Sequence, residues 1–243
     1  MLIRTARHTA ADLALWESLE DADILRQDVA AYRARYAEAL HAIAAFTSAG
    51  ECYAGISWGK DSTVLAHLIQ CVAPDTPLAW TRVEPIANPD CVLVRDAFLR
   101  LHPHANYHEI TEWCEWRDGE WHATGTLESG IAKCRERWGE RTILGIRAEE
   151  STQRGFRIWR HGLSTDRSCD PLGRWRIEDV MTCLAIEGLP VHPAYAMLGG
   201  GRWPREQLRV SSLGGRRGDG LGRAEWEREY YGDVVRRLAM TDT

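Results

Sequence analysis

The sequence predicts an α/β protein, a mostly parallel sheet with helices on both faces and a helical N-terminal extension. Three observations carry this. Short apolar runs of strand length alternate with segments of helical periodicity through the middle of the chain. The connections between them are short, as expected of strands joined by crossover helices. One connection, Ser57-Trp58-Gly59-Lys60-Asp61-Ser62-Thr63, packs a glycine, a lysine and three hydroxyls into a strand-to-helix junction. That is where an open parallel sheet binds its ligands.

Taken in order, the apolar positions Leu25, Val29, Tyr32, Tyr36, Leu40 and Ile43 recur every three or four residues. They predict one long amphipathic helix, with Arg33, Arg35 and Glu38 on its other faces and Ser48-Ala49-Gly50 as its stop. Its apolar face suits the rest of the domain or a second copy of the chain in a homodimer. Cys52 to Ser57 reads as a strand, and Asp61 to Val72 as a helix with Val64, Leu65, Leu68 and Ile69 on one side. Pro74 and Pro77 break it, and Leu78 to Val83 is the next strand. Cys91 to Leu101 fits a helix, Asn106 to Ile110 a strand, Leu127 to Trp138 a helix and Thr142 to Ile146 a strand. Trp113, Trp116 and Trp121 flank Asp118-Gly119, a hairpin signal, and favour cross-strand aromatic packing over base stacking. Ile177 to Ile186 is a further helix, closed by Gly188 and Pro190, and Ala224 to Leu238 is the last. The chain thus divides into a helical extension at 1–48, an α/β domain at 49–197 and an Arg/Gly-rich segment with a terminal helix at 198–243.

Composition narrows the function. With 243 residues, 44% of them hydrophobic, the chain is long enough to bury a sizeable core. No apolar run approaches the roughly 18 residues of a membrane span. Met1 to Ala14 lacks the pattern of a secretory signal, so a cytoplasmic protein with no membrane partner is expected. A net charge of −5 argues against blanket nucleic-acid coating but leaves room for a local basic patch. The seven cysteines are scattered without a Cys-x-x-Cys pair, which predicts reduced, partly buried thiols and no iron–sulfur cluster. The histidines, among them His102, His104, His161 and His192, lack the spacing of a helical metal site.

The chemistry concentrates in the loop. Gly59 permits a tight turn and close approach of the backbone to an anion, and Ser57, Ser62 and Thr63 offer hydroxyl donors. The helix start supplies unpaired N–H groups, and Lys60 a full positive charge. The pattern is not a Walker A loop, because Ala54 stands at its first glycine position and Asp61 follows Lys60. An aspartate beside a phosphate is expected to cap the helix, to orient Mg2+, or both.

SWGKDS resembles the SxGKDS pyrophosphate loop of the adenine nucleotide alpha-hydrolase superfamily, the N-type ATP pyrophosphatases, and within it the phosphoadenosine phosphosulfate (PAPS) reductase family. Downstream, LGIRAEES at Leu144 to Ser151 is similar to the family's LGxRxxES segment. PLGRWRIEDV at Pro171 to Val180 and PVHPAY at Pro190 to Tyr195 follow in the family's order. The resemblance implies ATP, PAPS or APS, with Mg2+, as cofactors. It implies that Ser57, Gly59, Lys60, Asp61, Ser62 and Thr63 hold the terminal phosphates and that Gly145 and Arg147 lie beside the nucleotide. Lys60, Asp61 and Arg147 are then the expected catalytic residues, and Asp61 the Mg2+ ligand. Glu149, Glu150 and Arg154 join the binding set, the carboxylates orienting an arginine or a metal and the arginines forking onto oxyanions.

The sequence departs from the family's reductases at the C-terminus. Their Glu-Cys-Gly-(Leu/Ile)-His motif has no counterpart, for no cysteine follows Cys183 and the equivalent stretch reads Leu208-Arg209-Val210-Ser211-Ser212-Leu213. A serine hydroxyl does not replace a thiolate. The expected reaction is therefore attack on the α-phosphate, giving an adenylated intermediate and pyrophosphate in sulfur transfer or nucleic-acid modification. The acceptor would be a nucleic acid or a sulfur carrier. The alternatives are PAPS reduction or sulfotransfer with an external thiol, and a non-catalytic nucleotide-binding module. Between residues 199 and 223, Arg202, Arg205, Arg209, Arg216, Arg217 and Arg223 outnumber Glu206 and Asp219, which suggests an arginine-bearing lid.

Overall fold

The computed structural model describes residues 1–117, 120–123, 125–210, 212–214 and 222–240, with side chains 115–124 and 239–240 left aside. Six strands form one sheet: β1 (Tyr53–Ile56), β2 (Leu78–Glu84), β3 (Tyr107–Arg117), β4 (Glu120–Ala123), β5 (Thr142–Leu144) and β6 (Ser168–Cys169). Their order is β4-β3-β2-β1-β5-β6, every pair parallel except the β3–β4 hairpin. The expected α/β class is the one observed. The chain leaves β1 toward β2 and β3, then returns to β1's other edge as β5, so a crevice opens where the direction of winding reverses.

Side-chain alternation sorts the two faces. Ala54, Ile56, Leu78 and Trp80 point into the large core, which they share with α3 (Lys60–Val72), α4 (Asp90–Leu101) and α7 (Ile177–Ile186). Tyr53 and Ala79 point the other way, into a small cluster with Cys134 of α5 (Leu127–Trp138). On that second face the register aligns Ala79, Gly55 and Leu144 across β2, β1 and β5. A Cβ on Gly55 would stand 2.8 Å from Leu144 Cδ2, so a larger residue there would displace that side chain.

The N-terminal third differs from the single long helix expected from Leu25. A helix α1 (Ala10–Ile24) runs into a short 3-10 turn at Leu25–Asp28, and α2 (Ala30–Ser48) begins only after Val29 adopts an extended backbone. Leu25 is 79% exposed, so the periodic spacing that included it did not report burial. Tyr32 and Ile43 are buried, in one core with residues of α3 and α7. Arg35 forks onto Asp179 at 2.9 and 2.7 Å, and Trp175 donates its indole N–H to the Arg35 carbonyl.

The C-terminus is equally tied in. Asp12 of α1 is fully buried, accepts the hydroxyl of Tyr230 at 2.9 Å and the backbone N–H of Leu198 at 3.0 Å, and so pins both to the helix start. The single last helix expected is two, α8 (Arg223–Tyr230) and α9 (Gly232–Met240). Tyr231 breaks them, buried and donating its hydroxyl to Asp90 at 2.8 Å. The strand expected at Asn106 to Ile110 runs on to Arg117, paired with β2 as far as Trp113 and with β4 from Cys114, whereas β5 ends at Leu144. Asp118 and Gly119, the expected turn, lie outside the described residues, as do the side chains of Trp116 and Trp121. No helix among the described residues is long and apolar enough to cross a membrane.

If α2 belongs to the core, truncating its fully buried Ile43 to alanine will cost about 2–5 kcal/mol. Urea denaturation of Ile43→Ala checks this, and a loss below about 0.5 kcal/mol, the range of surface substitutions, would contradict it.

Candidate functional site

A cavity of about 570 Å³ opens at the crevice beside β1. Gly55, Ala79 and Thr81 line it from the sheet, Leu127, Ile131 and Cys134 from α5, and Leu208, Arg209 and Val210 from the C-terminal segment. Ser57, Gly59, Lys60, Asp61 and Ser62 form its polar end.

The loop geometry follows from its sequence. Trp58 takes a left-handed backbone (φ 59°), a conformation bulky residues seldom adopt. Its ring is fully buried against Phe98 and Tyr107, at centroid distances of 5.4 and 5.6 Å, and this packing holds the turn. Gly59 then caps α3 with an extended backbone, and a Cβ there would meet Val210 at 3.0 Å and the Tyr195 hydroxyl at 3.1 Å. By helical geometry the first-turn N–H groups of α3 have no carbonyl partner within the helix. That of Lys60 donates to Tyr195 Oη at 3.1 Å. The Ser62 hydroxyl accepts from the Ser57 N–H at 3.2 Å and donates to the Gly59 carbonyl at 3.1 Å, fixing the bend.

Charge is held in a chain of ion pairs. Lys60, only 6% exposed, places Nζ 3.0 Å from Asp61 Oδ2 and 5.2 Å from the centre of the Tyr195 ring. Burial opposes its charge, but Tyr195 and Asp61 outweigh burial and the Lys60 pKa is raised. The other oxygen of Asp61, Oδ1, accepts from Arg147 Nε at 2.5 Å. Arg147 also pairs with Glu149, and Arg154 with Glu150. Burial likewise opposes the Arg147 charge, and Asp61 and Glu149 override it, raising its pKa. Gly145 lets this segment lie against the loop, since a Cβ there would stand 3.2 Å from the Asp61 carbonyl.

Of the residues expected at the site, Ser57, Gly59, Lys60, Asp61, Ser62, Gly145, Glu150 and Arg154 line the cavity. Arg147 reaches it only through Asp61, and Glu149 through Arg147. Thr63 is buried, its hydroxyl without a partner among the described residues. Tyr195 is the residue that sequence reasoning left without a role, although PVHPAY was noted. His192 accepts the Ala194 N–H on Nδ1 at 3.1 Å, capping the short turn Pro193–Ala196 that carries Tyr195 over Lys60.

The expected arginine lid is corrected for three of its members. Arg205 forks onto Asp23 at 2.6 and 2.7 Å, Arg202 pairs with Glu225 and Glu229, and Arg223 pairs with Glu227. Arg209 borders the cavity. Arg216, Arg217 and Asp219 lie outside the described residues, as does Ser211.

Asp61, the expected Mg2+ ligand, has Lys60 on one carboxylate oxygen and Arg147 on the other, which leaves a lone pair on each. Among the described residues no group of three or more His, Cys, Asp or Glu is gathered to hold a metal ion.

No family model and no curated protein matches the chain. Among solved structures it is similar to the U34-tRNA thiolase NcsA from Methanococcus maripaludis with its [4Fe-4S] cluster, at a TM-score of 0.43 and 14% identity, over 86% of this chain and 80% of that one. That structure carries a cluster, whereas the expectation for this chain was none. That expectation rested on the absence of a Cys-x-x-Cys pair, and sequence spacing does not decide which cysteines converge in space.

Removing the Tyr195 hydroxyl leaves the buried Lys60 N–H without its acceptor, so Tyr195→Phe will lose about 1–3 kcal/mol in urea denaturation. The turn beneath it is pH-sensitive. Burial first, then Arg223 and His8, lowers the His192 pKa from 6.5 to about 3. The folded state thus binds fewer protons than the unfolded chain, and stability present above pH 6.5 is lost as pH falls toward 3. Burial and His102 lower His67 to about 4, adding to the same slope. Stability at about pH 5 will therefore fall below that at about pH 7, and His192→Gln will flatten the difference without abolishing it.

Proposed function

We propose that the chain is an adenine-nucleotide-dependent enzyme that holds Mg-ATP as substrate and directs a nucleophile onto the α-phosphorus. The observation that carries this reading is the buried, charged Lys60 at the start of α3, facing a cavity whose opposite end is apolar. A polyphosphate suits the first end, where the helix start and Lys60 both favour negative charge. An aromatic base suits the second, among Ala79, Leu127 and Ile131.

The reaction follows from that orientation. The acceptor's nucleophile bonds to the α-phosphorus, the bond to the bridging oxygen breaks, and the electron pair leaves on pyrophosphate. Lys60 and the α3 start stabilise the charge that develops there. Asp61 positions Lys60 and, through Arg147, the segment carrying Glu150 and Arg154. Arg154 and Arg209 stand at the cavity wall to fork onto phosphate oxygens. Reduction of PAPS by a thiol of the chain itself is less well supported. Leu208 to Val210 lines the cavity where the family's reductases would bring their cysteine, and it brings Arg209 instead. Cys134 lines the cavity too, but is buried, and burial raises its pKa, so little thiolate is present.

Incubation with α-labelled ATP and candidate acceptors will release labelled AMP or a labelled adenylate together with pyrophosphate. Labelled ADP would instead place the attack on another phosphorus and overturn the assignment. Binding without turnover under every acceptor would favour a nucleotide-binding module. Lys60→Ala will reduce turnover at least a hundredfold, the loss typical of a removed transition-state donor. Unchanged circular dichroism will confirm that the fold survives.

A further inference from the structure

We propose that the outer face of α6 (Thr152–His161) is a docking surface for a single strand of nucleic acid, leading it to the cavity. The helix attaches to the domain by one side. Ile158 is buried, and Gly155 lies so close that a Cβ would stand 3.3 Å from the Ala148 carbonyl. On the other sides, Phe156 is 55% and Trp159 79% exposed, their rings 5.7 Å apart and tilted by 36°. A pair of large rings set side by side in water is an interaction feature rather than a scattered surface residue.

Charge selects the occupant. Every ionisable side chain on the helix is basic: Arg154, Arg157, Arg160 and His161, with no Asp or Glu between Thr152 and His161. Arg154 and Arg157 are engaged by Glu150 and Asp170, whereas Arg160 is exposed beside the rings with no ion-pair partner among the described residues. Alternating aromatic and basic side chains are what a flexible polyanion with stackable bases requires. A second copy of the chain would bring this basic face against itself, which like charges disfavour. An acidic protein would meet the arginine without needing two adjacent rings.

Position ties the surface to the site. Arg154, in the first turn of α6, lines the cavity. Trp159 follows five residues on, about 7.5 Å along the helix axis and about 140° around it. A strand stacked on Trp159 reaches the cavity at Arg154 by passing part of the way round the helix, a span of several nucleotides. As an assignment of the acceptor this rests on the nucleotide reading above; the binding itself does not.

The test uses the full chain, fluorescence anisotropy and two labelled probes, an oligouridylate RNA and an oligothymidylate DNA. Binding of either strand is expected, weakening between about 50 and 200 mM salt. The double variant Phe156→Ala, Trp159→Ala will bind at least tenfold more weakly, and Arg160→Ala will reduce the slope of log K against log salt by about 0.7. ATP titration of these variants will match the unaltered chain. The proposal is overturned if neither strand binds, if the double variant binds as well as the unaltered chain, or if duplex competes as strongly as single strand. It is also overturned if the rings instead support a concentration-dependent dimer that the double variant loses. Strand binding without ATP binding would break the reading of the cavity and leave the docking surface standing. ATP binding without strand binding would do the reverse.

Discussion

The architecture of the site depends on Asp61, a carboxylate shared between two buried cations. Lys60 lies behind it on the same turn of α3, and Arg147 reaches it from the segment after β5. Removing one partner of a buried ion pair leaves a charge unpaired at a cost of about 3–5 kcal/mol. The two walls of the crevice are therefore held together by charge as well as by packing. Gly145 makes the contact geometrically available, and Asp61 makes it favourable. The same aspartate sits at the positive end of the helix dipole, which further stabilises it.

This arrangement defines what an incoming phosphate must do. Lys60, Arg147 and Arg154 are already matched by Asp61, Glu149 and Glu150, so the polar end of the cavity is close to neutral without a ligand. A polyphosphate brings several negative charges to cations that have partners. It gains most where a cation turns from a carboxylate toward it at little expense, as Arg154 can, being 39% exposed at the cavity rim. Arg147 is bound on both sides and 3% exposed, which suits it to a fixed role. The sequence placed both arginines at the site as phosphate ligands; the geometry separates a positioning arginine from one free to move.

What was legible in the sequence was local. The loop from Ser57 to Thr63 and the helices Leu127–Trp138 and Ile177–Ile186 follow from spacing and from residue types whose conformational reasons lie within a few positions. Illegible were the features set by distant contacts. The helix expected from Leu25 starts late, after an extended Val29 and with Leu25 exposed, and Tyr231 divides the last helix where Asp90, far upstream, accepts its hydroxyl. Tyr195 belongs to the same class, since its task appears only when its turn is laid across Lys60. Trp58 is the converse. At a position that carried no signal, its burial decides the loop's conformation.

The C-terminal segment also changes meaning in space. Counted along the chain, its arginines suggest a movable cover; the partners of Arg202, Arg205 and Arg223 make its described part a strap. Asp12 holds Leu198, Asp23 holds Arg205, and Leu213 donates its N–H to the Ile86 carbonyl at 2.8 Å. Between these anchors Leu208, Arg209 and Val210 line the cavity, and a Cβ on Gly59 would crowd Val210 at 3.0 Å. A strap pinned on both sides forms one wall of the cavity, which Leu127, Arg135 and Arg154 also line. Arg154 lies in the first turn of α6, the helix that carries the exposed rings of Phe156 and Trp159.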